Sequence, residues 1–307
     1  MDFQKPVGDS PSTSYFKKTI TKKMEYMKNY LPTQDFITAA MSAMREAGRI
    51  MLSAHRDGQG GEVTGSEIDD KDTAHAQVNF VTVYDKKVQA LLIEKLHMAL
   101  PEAKFMAEED GADQTDPTEG LCFIIDPIDG TANFIRDLAC SAVSVALLSD
   151  GQPIFGAVYQ PYADELFLAV RGQGTVCYRK GNIPVPVSVS TRPLKEAVAV
   201  LGTSPYYKAE LGETTVSLFE KCLYHAADVR RSGSAAYDFC NIAMGRTDLF
   251  CEARLSPWDY AAGCLIVTEA GGQATCLDGT PLRFDQPCSV LAAGRGCYNE
   301  AGKLFQR

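Results

Sequence analysis

Several features that define common protein classes are missing from this sequence. No stretch approaches eighteen consecutive apolar residues, which argues against a transmembrane helix. The N-terminus has no apolar signal-peptide core, so we expect a cytoplasmic protein with no membrane partner. Basic side chains are also scarce, because 30 lysines and arginines against 39 acidic residues give a formal net charge of −9. That balance argues against a nucleic-acid partner, which would require clustered basic charge.

Cysteine and histidine are present, but they are not arranged as a metal site. None of the ten cysteines forms a Cys-x-x-Cys pair, and many lie within apolar segments. In a chain of 307 residues without a secretory signal, we expect reduced, buried thiols rather than a disulfide framework. The four histidines are far apart and form no His-x-x-x-His pattern, which disfavours a zinc site.

The rest of the composition, 45% hydrophobic and 22% charged, suits a globular protein of one large or two modest domains. We interpret residues 1–32 as a basic, solvated extension, with a membrane-surface or partner-binding role as the alternative. Residues 33–186 begin with two helices and continue as a run of strands, which predicts an α+β half. Thr33 is the expected N-cap of the first helix, and Thr82 with Asp85 resembles a capping box for the second.

Apolar spacing predicts the remaining elements. In the first half we expect strands near 104–107, 121–125, 142–148, 154–159 and 165–170. In residues 187–307 we expect strands near 197–201, 247–251, 272–275 and 289–292, alternating with helices near 213–223, 234–244 and 259–270. The second half is therefore predicted to be α/β and to pack against the first half, with a cleft between them.

The segment "CFIIDPIDGTANF", from Cys122 to Phe134, places two aspartates at the end of an apolar strand. Pro127 restricts the backbone and Gly130 permits a tight turn, so Asp126 and Asp129 can face a common point. Thr131 is the expected start of a helix whose free N–H groups would face an anion. The segment therefore indicates a site for a cation and a phosphate. The alternative is that the two aspartates only cap the turn.

Two further acidic clusters follow or precede predicted elements. "MAEEDG" places Glu108, Glu109 and Asp110 after a short strand, and "SPWDYAAG" places Asp259 at the start of an apolar helix. Taken alone, the first is typical of a solvated turn and the second of an N-cap. The clusters form one site only if the fold brings them together, which sequence spacing does not show.

The motifs "AEED", "DPIDGTANF" and "WDYAAG" occur in the order seen in the inositol monophosphatase family, which the chain resembles from about Gln34 onward. The segments "NFVTVYDKK" and "RRSGSAA" extend the resemblance. Members of this family are magnesium-dependent, lithium-sensitive phosphatases. The resemblance implies a layered α/β/α/β/α sandwich with metals bound between its halves, and a homodimer.

The resemblance also implies roles for individual residues. Two or three Mg²⁺ ions would be bound by Glu108, Asp126, Asp129, Asp259 and the backbone carbonyl of Ile128. These hard oxygen ligands suit Mg²⁺, and the ions would offset the negative charge that otherwise repels phosphate. Glu108 would also be catalytic, and Thr131 with Asp85 would form a hydrogen-bonded pair that accepts a proton from the attacking water. Asp85 would then serve both this pair and its capping box, since a carboxylate has four lone-pair sites.

Substrate residues are inferred in the same way. Asp129 and the backbone amides of Gly130 and Thr131 would hold the substrate at its phosphate end. The segment Gly233, Ser234 and Ala235 would line the polyol side, and Glu252 would accept a hydrogen bond from an inositol hydroxyl. Glu252 is otherwise interpretable as a solvent-exposed residue at a strand end. In the nucleotide-hydrolysing branch a lysine follows the Gly-Thr pair, whereas Ala132 follows it here, which favours a small phosphorylated polyol as substrate.

The sequence therefore predicts a Mg²⁺-dependent phosphatase that converts inositol monophosphate to inositol and phosphate. The alternatives are a sugar-bisphosphate or histidinol-phosphate phosphatase, or a regulatory binding protein that keeps the fold. Two features depart from the family pattern: the basic extension, and a long loop at residues 58–79, whose Lys71 lies further from Asp85 than the family's loop lysine. The loop's contribution to an additional metal therefore stays open.

Overall fold

The computed structural model describes residues 31–54, 68–70, 80–109, 115–179 and 183–306. Nearly all of the predicted extension, most of the loop at 58–79 with its Lys71, and Asp110 lie outside the described residues. Within them, no helix is both long and apolar enough to cross a membrane.

Strands predominate in the first half of the described chain, and helices and strands alternate in much of the second half. The α-helices are α1 (Gln34–Ser53), α2 (Val83–Ala99), α3 (Thr131–Ile135), α4 (Lys208–His225), α5 (Ala235–Ala243), α6 (Pro257–Glu269) and α7 (Tyr298–Phe305). The strands of the first half are β1 (Ile68–Asp70), β2 (Phe80–Thr82), β3 (Lys104–Ala107), β4 (Leu121–Asp129), β5 (Ala142–Ser149), β6 (Gln152–Gln160), β7 (Glu165–Val170), β8 (Thr175–Arg179) and β9 (Ile183–Pro186). Those of the second half are β10 (Val198–Leu201), β11 (Asp228–Arg230), β12 (Leu249–Leu255), β13 (Gln273–Thr275) and β14 (Cys288–Ala293).

Two large sheets organise these strands. The first has seven strands in the order β3-β4-β5-β6-β7-β8-β9, antiparallel except for the parallel pair β3–β4. The second is mixed and has five strands in the order β11-β10-β12-β14-β13. Strands β1 and β2 form a separate antiparallel pair.

Three apolar cores separate the layers. Helices α1 and α2 cover one face of the seven-stranded sheet, α5 and α6 lie between the two sheets, and α4 and α7 cover the outer face of the five-stranded sheet. The side chains of β4 alternate between the two faces of the seven-stranded sheet. Phe123 and Ile125 point into the first core, whereas Ile124 points into the second. The layered α/β/α/β/α sandwich is thereby confirmed.

The predicted starts of the first two helices agree with the observed ones. The Thr33 hydroxyl accepts a hydrogen bond from the Phe36 amide at 3.2 Å, which confirms it as the N-cap of α1. At the start of α2, the Thr82 amide donates to Asp85 at 2.8 Å, and the reciprocal bond to the Thr82 hydroxyl completes the capping box. Both caps satisfy amides that have no partner within the helix.

Some elements differ from the prediction. Helix α4 begins at Lys208 rather than near residue 213, directly after a turn of 3₁₀-helix at Pro205–Tyr207. Strands β1, β2, β8, β9 and β11 and helix α7 were not predicted. Strand β9 is exposed throughout and contains two prolines, and β11 has only three residues, so neither carries the apolar alternation that marks a strand. The division into halves at residue 186 stays a prediction, since the middle core is shared by both sheets.

Candidate metal and phosphate site

The end of β4 is shaped by an irregularity in its pairing with β5. Asp126 pairs with Ser144 and Asp129 with Ala142, so one residue more lies between the paired positions on β4 than on β5. The Ile128 amide donates to a carboxylate oxygen of Asp126 at 3.0 Å. Gly130 then turns the chain with φ +86°, which confirms the predicted tight turn. The helix that follows, α3, is a short one of five residues.

Strand pairing brings Glu108 to the same edge. Ala107 pairs with Ile125 in the parallel β3–β4 ladder, and the Glu108 amide donates to the Ile125 carbonyl at 3.1 Å. Glu108 therefore directly follows β3 at the level of Asp126 on the neighbouring strand β4, and the two side chains share a hydrogen bond. Glu109 is buried elsewhere, because its amide and carbonyl both bond the Gln89 side chain.

Asp259 reaches this edge from α6. Ser144, the partner of Asp126 on β5, donates its hydroxyl to the Trp258 carbonyl at 3.3 Å, which places the start of α6 beside β4 and β5. One carboxylate oxygen from each of Asp126, Asp129 and Asp259 lies within 4.8 Å of the others. Asp259 also accepts the Ser256 amide at 2.7 Å, as part of a capping box. It is both a helix cap and a member of the cluster.

The cluster crowds negative charge in a buried place. Burial raises the pKa of Asp126 well above its ordinary value, and the nearby charges of Glu108 and Asp129 raise it further. The pKa of Asp259 is raised by burial and then by the charges of the same two residues. Burial also raises the pKa of Asp129 to about 6, although hydrogen bonds from Ser234 and Ala236 oppose the shift. Carboxylates that repel one another in this way fit a divalent cation, which takes hard oxygen ligands and removes the repulsion.

Asp129 links the cluster to the second half of the chain. It accepts the Ser234 hydroxyl at 2.5 Å, the Ala236 amide at 2.8 Å and the Ala235 amide at 3.2 Å. These amides lie at the start of α5, so Asp129 satisfies N–H groups that have no partner within the helix. The predicted polyol-side segment, Gly233 to Ala235, is thereby held against the cluster. A Cβ on Gly130 would lie 2.9 Å from the Gly233 carbonyl oxygen, so this contact requires glycine.

Glu252 lies in the same cleft and is not a solvent-exposed residue, since only 5% of its surface is accessible. One carboxylate oxygen accepts both the amide and the hydroxyl of Ser204, at 2.6 and 3.2 Å. Burial raises the pKa of Glu252 to about 7, against the lowering effect of the two Ser204 hydrogen bonds. The alternative interpretation of Glu252, as a solvent-exposed residue at a strand end, was therefore wrong. The role of Glu252 in binding a substrate stays a prediction.

The structure places the helix starts that carry the predicted Thr131–Asp85 pair next to each other. The Thr131 hydroxyl donates to the Ile128 carbonyl at 3.2 Å. Asp85 is fully buried and accepts the Thr82 amide and hydroxyl at 2.8 and 2.6 Å. The starts of the two helices are neighbours, because the Tyr84 and Phe134 rings meet edge to face at 5.7 Å. The proton-accepting role of the pair stays a prediction.

The cleft has a volume of about 620 Å³ and receives residues from both sheets. Its lining includes polar and charged residues that were not predicted as site residues, among them Ser204, Arg231, Asp238 and Arg254. Asp238 is buried and accepts the Ser232 hydroxyl at 2.5 Å, which supports the turn before α5. Arg231 lies within the quoted motif "RRSGSAA", although no role was predicted for it, whereas Ser204 follows β10 in a loop without any motif.

Comparison with known proteins gives consistent results. The family model described as the inositol monophosphatase family matches residues 33–305. An inositol-1-monophosphatase of Bacillus subtilis is 33% identical over 217 residues, which cover 70% of this chain and 78% of that protein. Nus factor SuhB of Escherichia coli K12 is 35% identical over 240 residues, which cover 77% of this chain and 83% of that protein.

Similarity extends to solved structures. The inositol monophosphatase of Anabaena (Nostoc) sp. PCC 7120 superimposes with a TM-score of 0.72 at 28% identity, covering 89% of this chain and 95% of that one. The family match spans nearly all of the described residues and includes every member of the carboxylate cluster. The chain therefore belongs to the inositol monophosphatase family.

Proposed function

We propose that the protein is a Mg²⁺-dependent phosphatase that hydrolyses the phosphate monoester of a small polyol, with inositol monophosphate as substrate. The observation that carries this proposal is the cluster of Asp126, Asp129 and Asp259 in the cleft, with carboxylate oxygens within 4.8 Å of one another. Family membership supports phosphatase activity.

Glu108, Asp126, Asp129 and Asp259 would hold the cation, together with the carbonyl of Ile128. When bound, Mg²⁺ supplies Lewis-acid activation of water and neutralises charge on the phosphate. The four carboxylates are suited to this role because their strand and helix ends fix them in place before a cation arrives.

Other groups of the chain handle the phosphate and the proton. The backbone amides of Gly130 and Thr131 orient the phosphate, and the Thr131 hydroxyl with the Asp85 carboxylate accepts the proton that the attacking water loses. Water adds to phosphorus as the bond to the polyol oxygen breaks, which yields inorganic phosphate and the free alcohol. No cysteine acts as nucleophile in this scheme, and burial raises the pKa of Cys140, which follows α3 in the chain, to about 11.

Glu252 and the segment Gly233–Ala235 would bind the polyol. Glu252 keeps one carboxylate oxygen on Ser204, and a carboxylate oxygen has more than one lone pair to offer a hydroxyl. A sugar-bisphosphate or histidinol-phosphate phosphatase is the runner-up, because its substrate would use the same cluster. A homodimer is also part of the proposal, and it rests on the family resemblance.

A regulatory binding role is a second candidate, since several relatives are named Nus factor SuhB. Phosphate release from inositol monophosphate, a sugar bisphosphate, histidinol phosphate and an aryl phosphate, with Mg²⁺ and with a chelator, separates the candidates. We expect release that depends on Mg²⁺ and is fastest with inositol monophosphate among the monophosphates. Failure to release phosphate from every substrate would leave the binding role as the better account.

A further inference from the structure

A second cavity, of about 380 Å³, lies between α1 and β8 and shares no described lining residue with the cleft. Tyr178 of β8 forms one wall. The other described lining residues recur at helical spacing along one side of α1, and they are Gln34, Thr38, Met41, Ser42, Arg45 and Arg49. The described lining of this cavity therefore has two positive charges and no negative one, in a chain whose formal net charge is −9.

Arg45 brings a buried donor to this cavity. Its side chain is partly buried, and its Nε atom is fully buried without a hydrogen-bond partner among the described residues. In the part of the chain that the structure describes, neither Arg45 nor Arg49 forms an ion pair. A buried N–H group of a charged side chain is costly without a partner, so the site favours an acceptor at this position.

An acidic group acts on the two arginines from nearby but does not neutralise them. Asp164 accepts the Tyr159 hydroxyl at 3.0 Å. Burial raises the pKa of Tyr159 to about 12, and the hydrogen bond to Asp164 adds to the shift. The charges of Arg45 and Arg49 oppose it, so both guanidinium groups act on this hydroxyl. One carboxylate offsets at most one of two guanidinium charges, which leaves a net positive charge at the cavity.

The donors of the cavity are spaced for a single anion. Arg45 and Arg49 lie one helical turn apart, and Ser42 lies nearly one turn before Arg45, so all three side chains emerge on one side of α1. The Thr38 hydroxyl already donates to the Gln34 carbonyl at 2.8 Å and is not needed as a donor. Guanidinium groups bind phosphate through two parallel N–H donors, and two such groups match its double charge.

We propose that Ser42, Arg45 and Arg49 form a second anion site, separate from the cleft, which binds the phosphate group of a small molecule without Mg²⁺. The ligand is inorganic phosphate or a small organic phosphate, because both present the same group. The Tyr178 ring and Met41 offer an apolar surface to an organic substituent. This inference goes beyond the proposed function, since the carboxylates of the cleft repel phosphate until a cation binds.

A competing explanation is that the two arginines only form a solvated face of α1. It predicts that the metal-free protein has no saturable affinity for phosphate, because the cleft repels the anion and no other site attracts it. The second anion site predicts saturable binding that depends on both arginines.

The test is a calorimetric titration of the full chain with inorganic phosphate at about pH 8, where a phosphate group carries nearly two negative charges. The buffer is freed of metals on a chelating resin, and sodium chloride holds the ionic strength constant. We expect saturable binding, which Arg45→Gln and Arg49→Gln should each weaken about tenfold through the loss of a charge-assisted hydrogen bond. Lys95→Gln is the matched control, because it removes a positive charge from α2, where Lys95 pairs with Glu46, and should leave the affinity unchanged.

A parallel titration with phenyl phosphate distinguishes the two sources of the phosphate group. Tighter binding of phenyl phosphate than of inorganic phosphate, with the difference lost in Tyr178→Leu, would assign the site to organic phosphates. Equal binding of the two probes would assign it to inorganic phosphate. Either result supports the second anion site.

The outcomes are separate from those that test the proposed function. Absence of saturable binding to the wild-type protein, or binding that survives unchanged in Arg45→Gln and Arg49→Gln, would overturn the second anion site. Arg49 is exposed, so Arg49→Gln decides alone if melting shows that Arg45→Gln does not fold. Both arginine variants should keep wild-type hydrolysis with Mg²⁺, because neither residue lines the cleft.

Discussion

Three carboxylates in and around the candidate site serve helix starts as well as their predicted chemistry. Asp259 completes the capping box of α6, Asp129 accepts amides at the start of α5, and Asp85 completes the capping box of α2. A carboxylate has four lone-pair sites, so a cap leaves capacity for another partner. From the sequence, capping a helix and binding a ligand were alternative roles for these aspartates. The geometry allows one carboxylate to serve both roles.

At this scale, Glu252→Gln tests the substrate class. The substitution keeps the shape of the side chain but removes the charge that strengthens a hydrogen bond to a polyol hydroxyl. Loss of such a bond costs about 1.5–3 kcal/mol, so kcat/KM for inositol monophosphate should fall by at least tenfold. A small aryl phosphate, which lacks the hydroxyl, should be hydrolysed nearly as well as before. Equal losses on both substrates would assign Glu252 to the structure of the cleft instead.

Thr131→Ala and Asp85→Asn test the proton-accepting pair. Each variant should lower kcat much more than it changes KM, and the double variant should lose less than the sum of the two. Asp85→Asn also weakens a helix cap, which costs about 1 kcal/mol of stability. Thr82→Ala weakens the same cap and is the matched control for melting. Additive losses in kcat would show that Thr131 and Asp85 act independently.

At the scale of elements, strand ends and helix starts position the site. The parallel pairing of β3 with β4 sets Glu108 beside Asp126, and the irregular pairing with β5 brings Asp129 to the same edge. Local sequence signals predict such ends well, because a cap or a Gly-Thr turn acts within a few residues. Exposed elements such as β9 and β11 were missed, because they are short and their side chains show no apolar period.

The three acidic clusters come together only through long-range tertiary contacts. Nothing near Asp259 in the sequence indicates that Ser144 will bind the Trp258 carbonyl and so draw α6 to β4. The resemblance to a family supplied that assembly. Ser204 and Arg254 were missed for the same reason, because their partners Glu252 and Glu210 are distant in sequence.

The loop after β10 provides a test at the element scale. A Cβ on Gly202 would lie 1.7 Å from a carboxylate oxygen of Glu252, so Gly202→Ala must displace either the loop or Glu252. We expect a loss of about 1–3 kcal/mol in stability and a lower kcat/KM for inositol monophosphate. Gly212→Ala is the control, because nothing lies within 4 Å of that Cβ and alanine favours the α4 helix. Wild-type behaviour of Gly202→Ala would show that Glu252 moves without consequence.

At the scale of the whole molecule, the layered sandwich brings buried like charges from both halves into one cleft. Asp126 and Asp129 come from the seven-stranded sheet, whereas Asp259 begins a helix of the middle layer. Their mutual repulsion opposes folding when no cation is bound. Burial of apolar side chains in the cores on both faces of the seven-stranded sheet offsets this cost.

The charge crowding predicts how pH alters the effect of Mg²⁺ on stability. The pKa of Asp129 rises from 3.8 to about 6 in the folded protein, and the pKa values of Asp126 and Asp259 rise as well. A raised carboxyl pKa stabilises the metal-free protein at low pH, and that stability is lost as pH rises from 3.8 through the raised values. Mg²⁺ should therefore raise the melting temperature more at about pH 8 than at about pH 5. An increment independent of pH would argue against these carboxylates as ligands.

The central claim is that the carboxylate cluster binds the cation on which hydrolysis depends, and Asp126→Asn tests it most directly. The measurement is phosphate release from inositol monophosphate at saturating Mg²⁺, with Asp116→Asn as the exposed control. The account predicts that turnover by Asp126→Asn is nearly abolished, that the control is unchanged, and that the variant melts no lower than wild type in metal-free buffer because a buried charge is gone. Wild-type turnover by Asp126→Asn would contradict the account.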